Sequence, residues 1–148
     1  MKKVILFAAL LVSIVAGAAV KPSEVSEKVL QAFKETFTQA KDVVWHEYED
    51  VYQANFKQDE IQIRAEYDHD GALIKTIRYY GEKQLLPNVL ARLKKKYGTK
   101  EIFGVTETTS DSEVSFLITL RDDKDYFVVK SDVYGNLDLT EKFHRADK

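Results

Sequence analysis

Apolar and polar residues alternate with period two between Val43 and Tyr79, most cleanly in the middle of that stretch. Tyr52, Ala54 and Phe56 share one face of an extended segment, and Ile61, Ile63, Ala65 and Tyr67 share one face of the next. Gln53, Asn55, Gln62, Arg64 and Glu66 fall between them. Such alternation marks an antiparallel sheet with one buried and one wet face. It predicts strands at residues 43–48, 52–56, 61–67 and 73–79. Polar turns separate them at Glu49-Asp50, at Lys57-Gln58-Asp59-Glu60 and at Asp68-His69-Asp70-Gly71. Asp suits the first position of a type I turn, and Gly accepts the positive φ that follows.

A helical period precedes these strands. Val25, Val29, Phe33 and Phe37, with Leu30 and Ala32 beside them, form one apolar stripe that fades after Phe37. Ser23 is placed to cap this helix, and Glu24 and Glu27 suit the positive end of its dipole. An amphipathic helix laid across one face of an antiparallel sheet buries both apolar surfaces.

After Tyr80-Gly81 the pattern starts again. Leu86, Val89, Leu90, Leu93 and Tyr97 make a second stripe, Pro87 suits a first helical turn, and Gly98 is a C-terminal stop. Strands are predicted at residues 102–108, 113–120, 126–131 and 137–143. Turns at Asp111-Ser112, at Asp122-Asp123-Lys124-Asp125 and at Asp132-Val133-Tyr134-Gly135 separate them. The stripe Val29-Leu30, Phe33, Phe37 matches Val89-Leu90, Leu93, Tyr97 at a displacement of 60, and Asp68-x-x-Gly71 matches Asp132-x-x-Gly135 at 64. The expectation is an α+β protein of two tandem units, each a helix plus a four-stranded antiparallel sheet, with the helices packed on one face. Unit one runs over about residues 23–80 and unit two over about 84–144, with residues 81–86 as the connection.

The N-terminus changes the setting. Met1-Lys2-Lys3 is basic, residues 4–15 are apolar, and Ala16-Gly17-Ala18-Ala19 offers small residues at an A-x-A-like site. This is the form of a secretory signal over residues 1–19, with cleavage after Ala18 or Ala19. The apolar run is short of the roughly 20 residues needed to span a bilayer. The chain has no cysteine, which excludes disulfides, thiolate catalysis, cysteine-held zinc and a lipid anchor at that site. The remaining residues 20–148 have the size of one domain with a real core. Loss of Lys2 and Lys3 moves the formal net charge from −2 to −4, a poor match for nucleic acid. The expected location is periplasmic or secreted, with no membrane attachment once the signal is removed.

The whole mature chain resembles a family. The motifs are Phe37-x-x-Ala40-Lys41-x-Val43-x-Trp45, Tyr52-x-Ala54-x-Phe56, Ala65-x-Tyr67-Asp68-x-Asp70-Gly71 and Leu86-Pro87-x-Val89. They resemble the PepSY-like, β-lactamase-inhibitor-like family of small bacterial periplasmic proteins. Many members carry Pro after the Phe, where this chain has Thr38, and the second half here is more diverged. The resemblance implies a tandem helix-on-sheet fold and a periplasmic location. It implies protein binding or inhibition only by analogy, and it brings no catalytic residue.

Candidate chemistry is sparse. Asp68, Asp70 and Gly71 have the start of a calcium loop, but Ala72-Leu73-Ile74 resumes a strand where further ligands are required. His46, His69 and His144 show no ligand spacing. No nucleophile elbow or glycine-rich phosphate loop is present, so neither catalytic residues nor a cofactor or metal are expected. Arg92-Leu93-Lys94-Lys95-Lys96 is either a patch for an acidic partner or the dipole-favoured last turns of a helix. Trp45 belongs to the core. The wet sheet face is more informative, and Tyr48, Gln62, Arg64, Glu66, Arg78, Tyr80, Tyr126 and Lys130 are assigned to it. Tyr and Arg dominate binding hot spots, although both also decorate ordinary sheet faces. The leading expectation is a non-enzymatic binding module for an unidentified exported protein, acting as an inhibitor of it. The alternative is a small-ligand carrier with an apolar pocket between helix and sheet.

Overall fold

The structure, a computed structural model, describes residues 18–146, so most of the expected signal lies outside the described residues. In chain order it forms β1 (Ala18–Val20), a 3-10 turn (Pro22–Glu24), α1 (Glu27–Thr36), β2 (Lys41–Glu47), β3 (Tyr52–Gln58), β4 (Ile61–Tyr67) and β5 (Leu73–Tyr80). A second 3-10 turn (Glu82–Gln84), α2 (Pro87–Tyr97), β6 (Glu101–Ser110), β7 (Glu113–Arg121), β8 (Asp125–Asp132) and β9 (Leu137–His144) follow. The expected cleavage after Ala18 or Ala19 falls within β1, whose Val20 pairs with Trp45.

Two tandem four-stranded units are not what the chain forms. The described strands make one nine-stranded antiparallel sheet in the order of the sequence. The decisive contact is β5 against β6, in register from Lys75↔Ser110 to Tyr80↔Val105. Two separate sheets would leave the backbone donors and acceptors of both strands as open edges, and pairing satisfies them. β1 adds a strand that the alternation did not reveal, because three residues are too few for a period.

Both helices lie on the same face. The α1 residues Val29 and Phe33, preceded by Val25, pack on Trp45, Ala54, Phe56, Ile63, Ala65 and Tyr67. Phe33 meets the rings of Trp45 and Phe56 edge-on, each at 5.1 Å between centroids. Val89 and Leu93 of α2 pack on Val105, Phe116, Ile118, Leu120 and Val129. Each such burial contributes about 1.5–3 kcal/mol for a large aliphatic or aromatic side chain. Tyr80 touches both clusters and is the apolar link between them.

The cap of α1 is Ser26, not Ser23. Ser26 Oγ accepts a hydrogen bond from the Val29 N–H at 3.3 Å. Ser23 falls inside the Pro22–Glu24 turn, closed by the Val25 N–H donating to the Pro22 carbonyl. Gly98 ends α2 with φ 57.

The turns hold the register. Asp59-Glu60 and Asp111-Ser112 both have positive φ at each residue, the two-residue hairpin geometry that matches strand twist. Asp68 Oδ1 accepts from the N–H groups of Asp70 and Ala72, and Asp132 Oδ1 accepts from those of Tyr134 and Asn136. The expected turn at Asp68 is thus closed by its own side chain. Gly71 has φ 90, and a Cβ there would lie 3.0 Å from the Lys28 carbonyl oxygen of α1. Gly71→Ala should therefore lower stability by about 1–2 kcal/mol through the left-handed backbone alone. Gly81→Ala, with nothing within 4 Å of its Cβ, should be near neutral. Urea denaturation of the two variants checks the contrast.

Candidate binding face

One face of the sheet carries the helices, and the other carries none. Register assigns the side chains. Asn55, Arg64, Ile77 and Thr108 are successive partners across β3 to β6, and Gln62, Tyr79, Thr106, Leu117 and Lys130 are partners across β4 to β8. These point away from the core, because Ala54, Ile63, Ala65, Ile118 and Val129 point into it.

Of the residues assigned to the wet face from the sequence, Gln62, Arg64, Glu66, Tyr126 and Lys130 lie on this open face. Gln62, Arg64 and Glu66 share β4, whereas Tyr126 and Lys130 lie four strands away on β8. Tyr48 follows β2 at the hairpin, half-buried, with its N–H donating to the Val51 carbonyl. Arg78 and Tyr80 are on the opposite, helix-bearing face, since Arg78 pairs with Ile63 and Tyr80 with Val105. The alternation in β5 misled because both of its faces carry polar or amphipathic residues, so period two has no apolar side to anchor it.

Arg78 and Tyr80 instead close the seam between the two clusters. Arg78 donates to Glu107 Oε1 at 3.0 Å, and the Tyr80 hydroxyl donates to Glu107 Oε2. The Arg78 guanidinium lies 5.4 Å from the Tyr80 ring centroid. Burial, then Glu107, push the Tyr80 phenol far up from its ordinary value.

The open face carries paired and unpaired charges. Among the described residues, the side chains of Arg64, Glu66, Lys75 and Lys130 make no ion pair or hydrogen bond with the rest of the chain. Some charges elsewhere are paired, as Lys100 with Asp122 at 2.6 Å and Lys142 with Asp125 at 2.8 Å, while others, such as Lys34 and Lys95 on the helices, are not. Lys100, with the N–H groups of Lys124 and Asp125, holds the Asp122 carboxyl well below the usual carboxylate range.

An aromatic patch, only partly foreseen, sits at one corner of this face. A bulge between Ile102 and Gly104 turns Phe103 outward, leaving it 56% exposed. Its ring meets Tyr126 edge-on at 5.5 Å. Phe143, 50% exposed, is the cross-strand partner of Tyr126. Arg121 lies 4.8 Å from the Phe103 centroid and is held there by a two-pronged bond to Glu101, at 2.7 and 2.9 Å. Sequence reasoning included Tyr126 but missed Phe103 and Phe143. Neither was legible: Phe103 depends on the bulge in β6, and Phe143, which plain alternation groups with Leu137 and Leu139 opposite the buried Ser131 and Val129, is turned to the open face by a register slip in β9.

Other chemistry stays thin. Among the described residues no group of three His, Cys, Asp or Glu side chains is placed to hold a metal ion. His144 contacts Asp125 at 3.0 Å, and His69 lies against Tyr52 at a centroid distance of 5.1 Å, so these two histidines sit on opposite halves of the sheet. The space between helices and sheet, where a small-ligand carrier would need its pocket, is filled by Val29, Val89, Leu93 and the strand residues below them. Lys94 of the basic run pairs with Glu82, and Lys96 donates to the Leu137 carbonyl. Among the described residues no helix is long and apolar enough to cross a membrane.

Comparison with known proteins then places the fold. No family model and no curated protein matches the chain. Solved structures do. A BLIP-like protein of Bacteroides fragilis superposes with a TM-score of 0.61 at 18% identity, over 80% of this chain and 85% of that one. The fold is BLIP-like. A DUF2874 family protein of Bacteroides ovatus gives 0.60 at 18% identity, over 80% and 86%. A protein of Bacteroides eggerthii, whose name assigns it provisionally to the periplasm, gives 0.61 at 12% identity, over 82% and 90%. None of these names carries the PepSY-like designation that the motifs suggested.

The seam has a consequence for alkaline stability. Burial raises the Tyr67 phenol to about 12, and Tyr80 is raised further. A raised phenol favours the folded state below the ordinary tyrosine value of about 10, and that contribution is lost as pH rises through the folded value. Stability should therefore fall above pH ~10, and Tyr80→Phe should make that fall shallower. At neutral pH the same variant should lose about 1 kcal/mol with the Glu107 bond. Denaturant unfolding at pH 7, 10 and 11.5 reads both effects.

Proposed function

We propose that this chain is an exported, non-enzymatic binding protein that presents its open sheet face to another exported protein. The observation that carries the reading is the aromatic patch of Phe103, Tyr126 and Phe143, whose two phenylalanines are at least half exposed on the sheet face that no helix covers. Large aromatic and Arg side chains supply most of the energy at protein interfaces, and contiguous exposed apolar surface is uncommon on a face with no role. The rest of the face has the mixed polarity typical of non-obligate interfaces.

The BLIP-like name of one structural neighbour and the sequence's resemblance to β-lactamase-inhibitor-like proteins support inhibition as the mode of action. The provisional periplasmic assignment of another, with the signal-like N-terminus, supports export as the setting.

The test is capture from periplasmic extract with three immobilised baits: the unaltered protein, Phe103→Ala/Tyr126→Ala, and a control altered on the outer surface of the helices, Lys34→Ala/Lys95→Ala. A protein retained by the first and third baits, and bound at least a hundredfold more weakly by the second, supports the reading. Equal retention on all three removes the patch from the interface.

A further inference from the structure

A second feature of the open face lies at the far side from the aromatic patch. In β2 the register slips between Lys41↔Lys57 and Val44↔Asn55, and Asp42 takes φ 55. At this bulge, beside β3, β4 and β5, lies a hollow of about 320 Å³. Its apolar walls are Val44 and Tyr79, and its polar groups are the amides of Asn55 and Gln62, the Asp42–Lys57 pair and Arg64. Asp42 and Lys57 approach to 3.8 Å and offset one another, so Arg64 is the uncompensated charge.

Arg64 is also unsatisfied. Its Nε is buried from solvent and has no hydrogen-bond partner. The terminal nitrogens of the same guanidinium also have no partner within the chain, and they are the donors that a carboxylate in the hollow lined by Arg64 would reach. The neighbouring side chains do not answer it: Glu66, two residues along β4, makes no ion pair with it, and Asp42 is engaged with Lys57. A planar guanidinium beside two amides and an apolar wall fits a carboxylate on a short aliphatic stem, which accepts two parallel N–H bonds while its methylenes lie on Val44 and Tyr79. A metal cation is disfavoured by the same charge.

We propose that this hollow is a carboxylate pocket in which Arg64 anchors an acidic side chain of the protein that docks on the open face. The proposal rests on the binding-face reading for its occupant, and on the bulge, the hollow and the unsatisfied Arg64 for its chemistry. It divides the face into two roles. The aromatic patch supplies apolar contact, and the pocket, whose Arg64 lies four strands from Tyr126, selects for negative charge and sets orientation.

The experiment needs no natural partner. The ¹⁵N-labelled protein is titrated with the blocked peptide acetyl-Ala-Glu-Ala-amide, and separately with acetyl-Ala-Gln-Ala-amide, at constant ionic strength. The Glu peptide should shift the Arg64 Nε–Hε signal and the side-chain amide signals of Asn55 and Gln62. The Gln peptide should bind about tenfold more weakly, as expected for loss of one charge-assisted contact. Arg64→Gln should abolish the difference between the peptides. Equal response to both peptides, shifts confined to other residues, or the same shifts produced by sodium chloride alone would overturn the pocket. Because the comparison between peptides is made on the unaltered protein, it stands even if the variant folds poorly. A pocket that passes while capture fails to depend on the aromatic patch would overturn the docking reading alone, and the reverse result would overturn the pocket alone.

Discussion

Two amphipathic helices, each with a single apolar stripe, can cover one face of a sheet and leave the other to solvent. Most of the molecule follows from that constraint. The stripes of α1 and α2 take up the apolar sides of β2 to β4 and of β6 to β8, and the remaining positions of those strands must face outward. Where the outward residues are polar, such a face is ordinary surface. Here it carries two phenylalanines at half exposure or more.

The join between β5 and β6 makes this face continuous. It brings β4, with Arg64, into the same sheet as β8, with Tyr126, so that features far apart in sequence become parts of one surface. The cost of the join is polar. β5 and β6 bring Arg78, Tyr80 and Glu107 onto the helix side, and their mutual bonding lets a seam between two apolar clusters stay satisfied. The seam is thus a structural use of residues whose types alone would suggest a binding role.

Much of the local structure was legible because the periods were strong. Strands β3, β4, β7 and β8 and both helices follow their apolar stripes, and Asp68, Gly71, Asp132 and Gly135 mark turns by known chemistry. What could not be read was how the pieces meet. Similar halves suggested two units, but no residue pattern announces that β5 pairs with β6, because edge pairing is made by backbone groups that every residue shares. The open face was legible on β4 and β8, where apolar neighbours anchor the alternation. It failed on β5, which lacks that anchor, and at Phe103, which a bulge turns outward. Alternation placed Arg64 on the open face, whereas its unpaired Nε and the hollow beside it, at a register slip in β2, leave no mark in the periodicity.

The central claim is that the open face, and not the helix-bearing side, is the working surface. Hydroxyl-radical footprinting of the protein alone and in complex with a captured partner addresses it most directly. Protection of Tyr79, Phe103, Leu117, Tyr126 and Phe143, with Leu90 and Tyr97 of α2 unchanged, is the predicted result. Protection centred on α1 and α2 with the open-face aromatics still reactive would contradict the account.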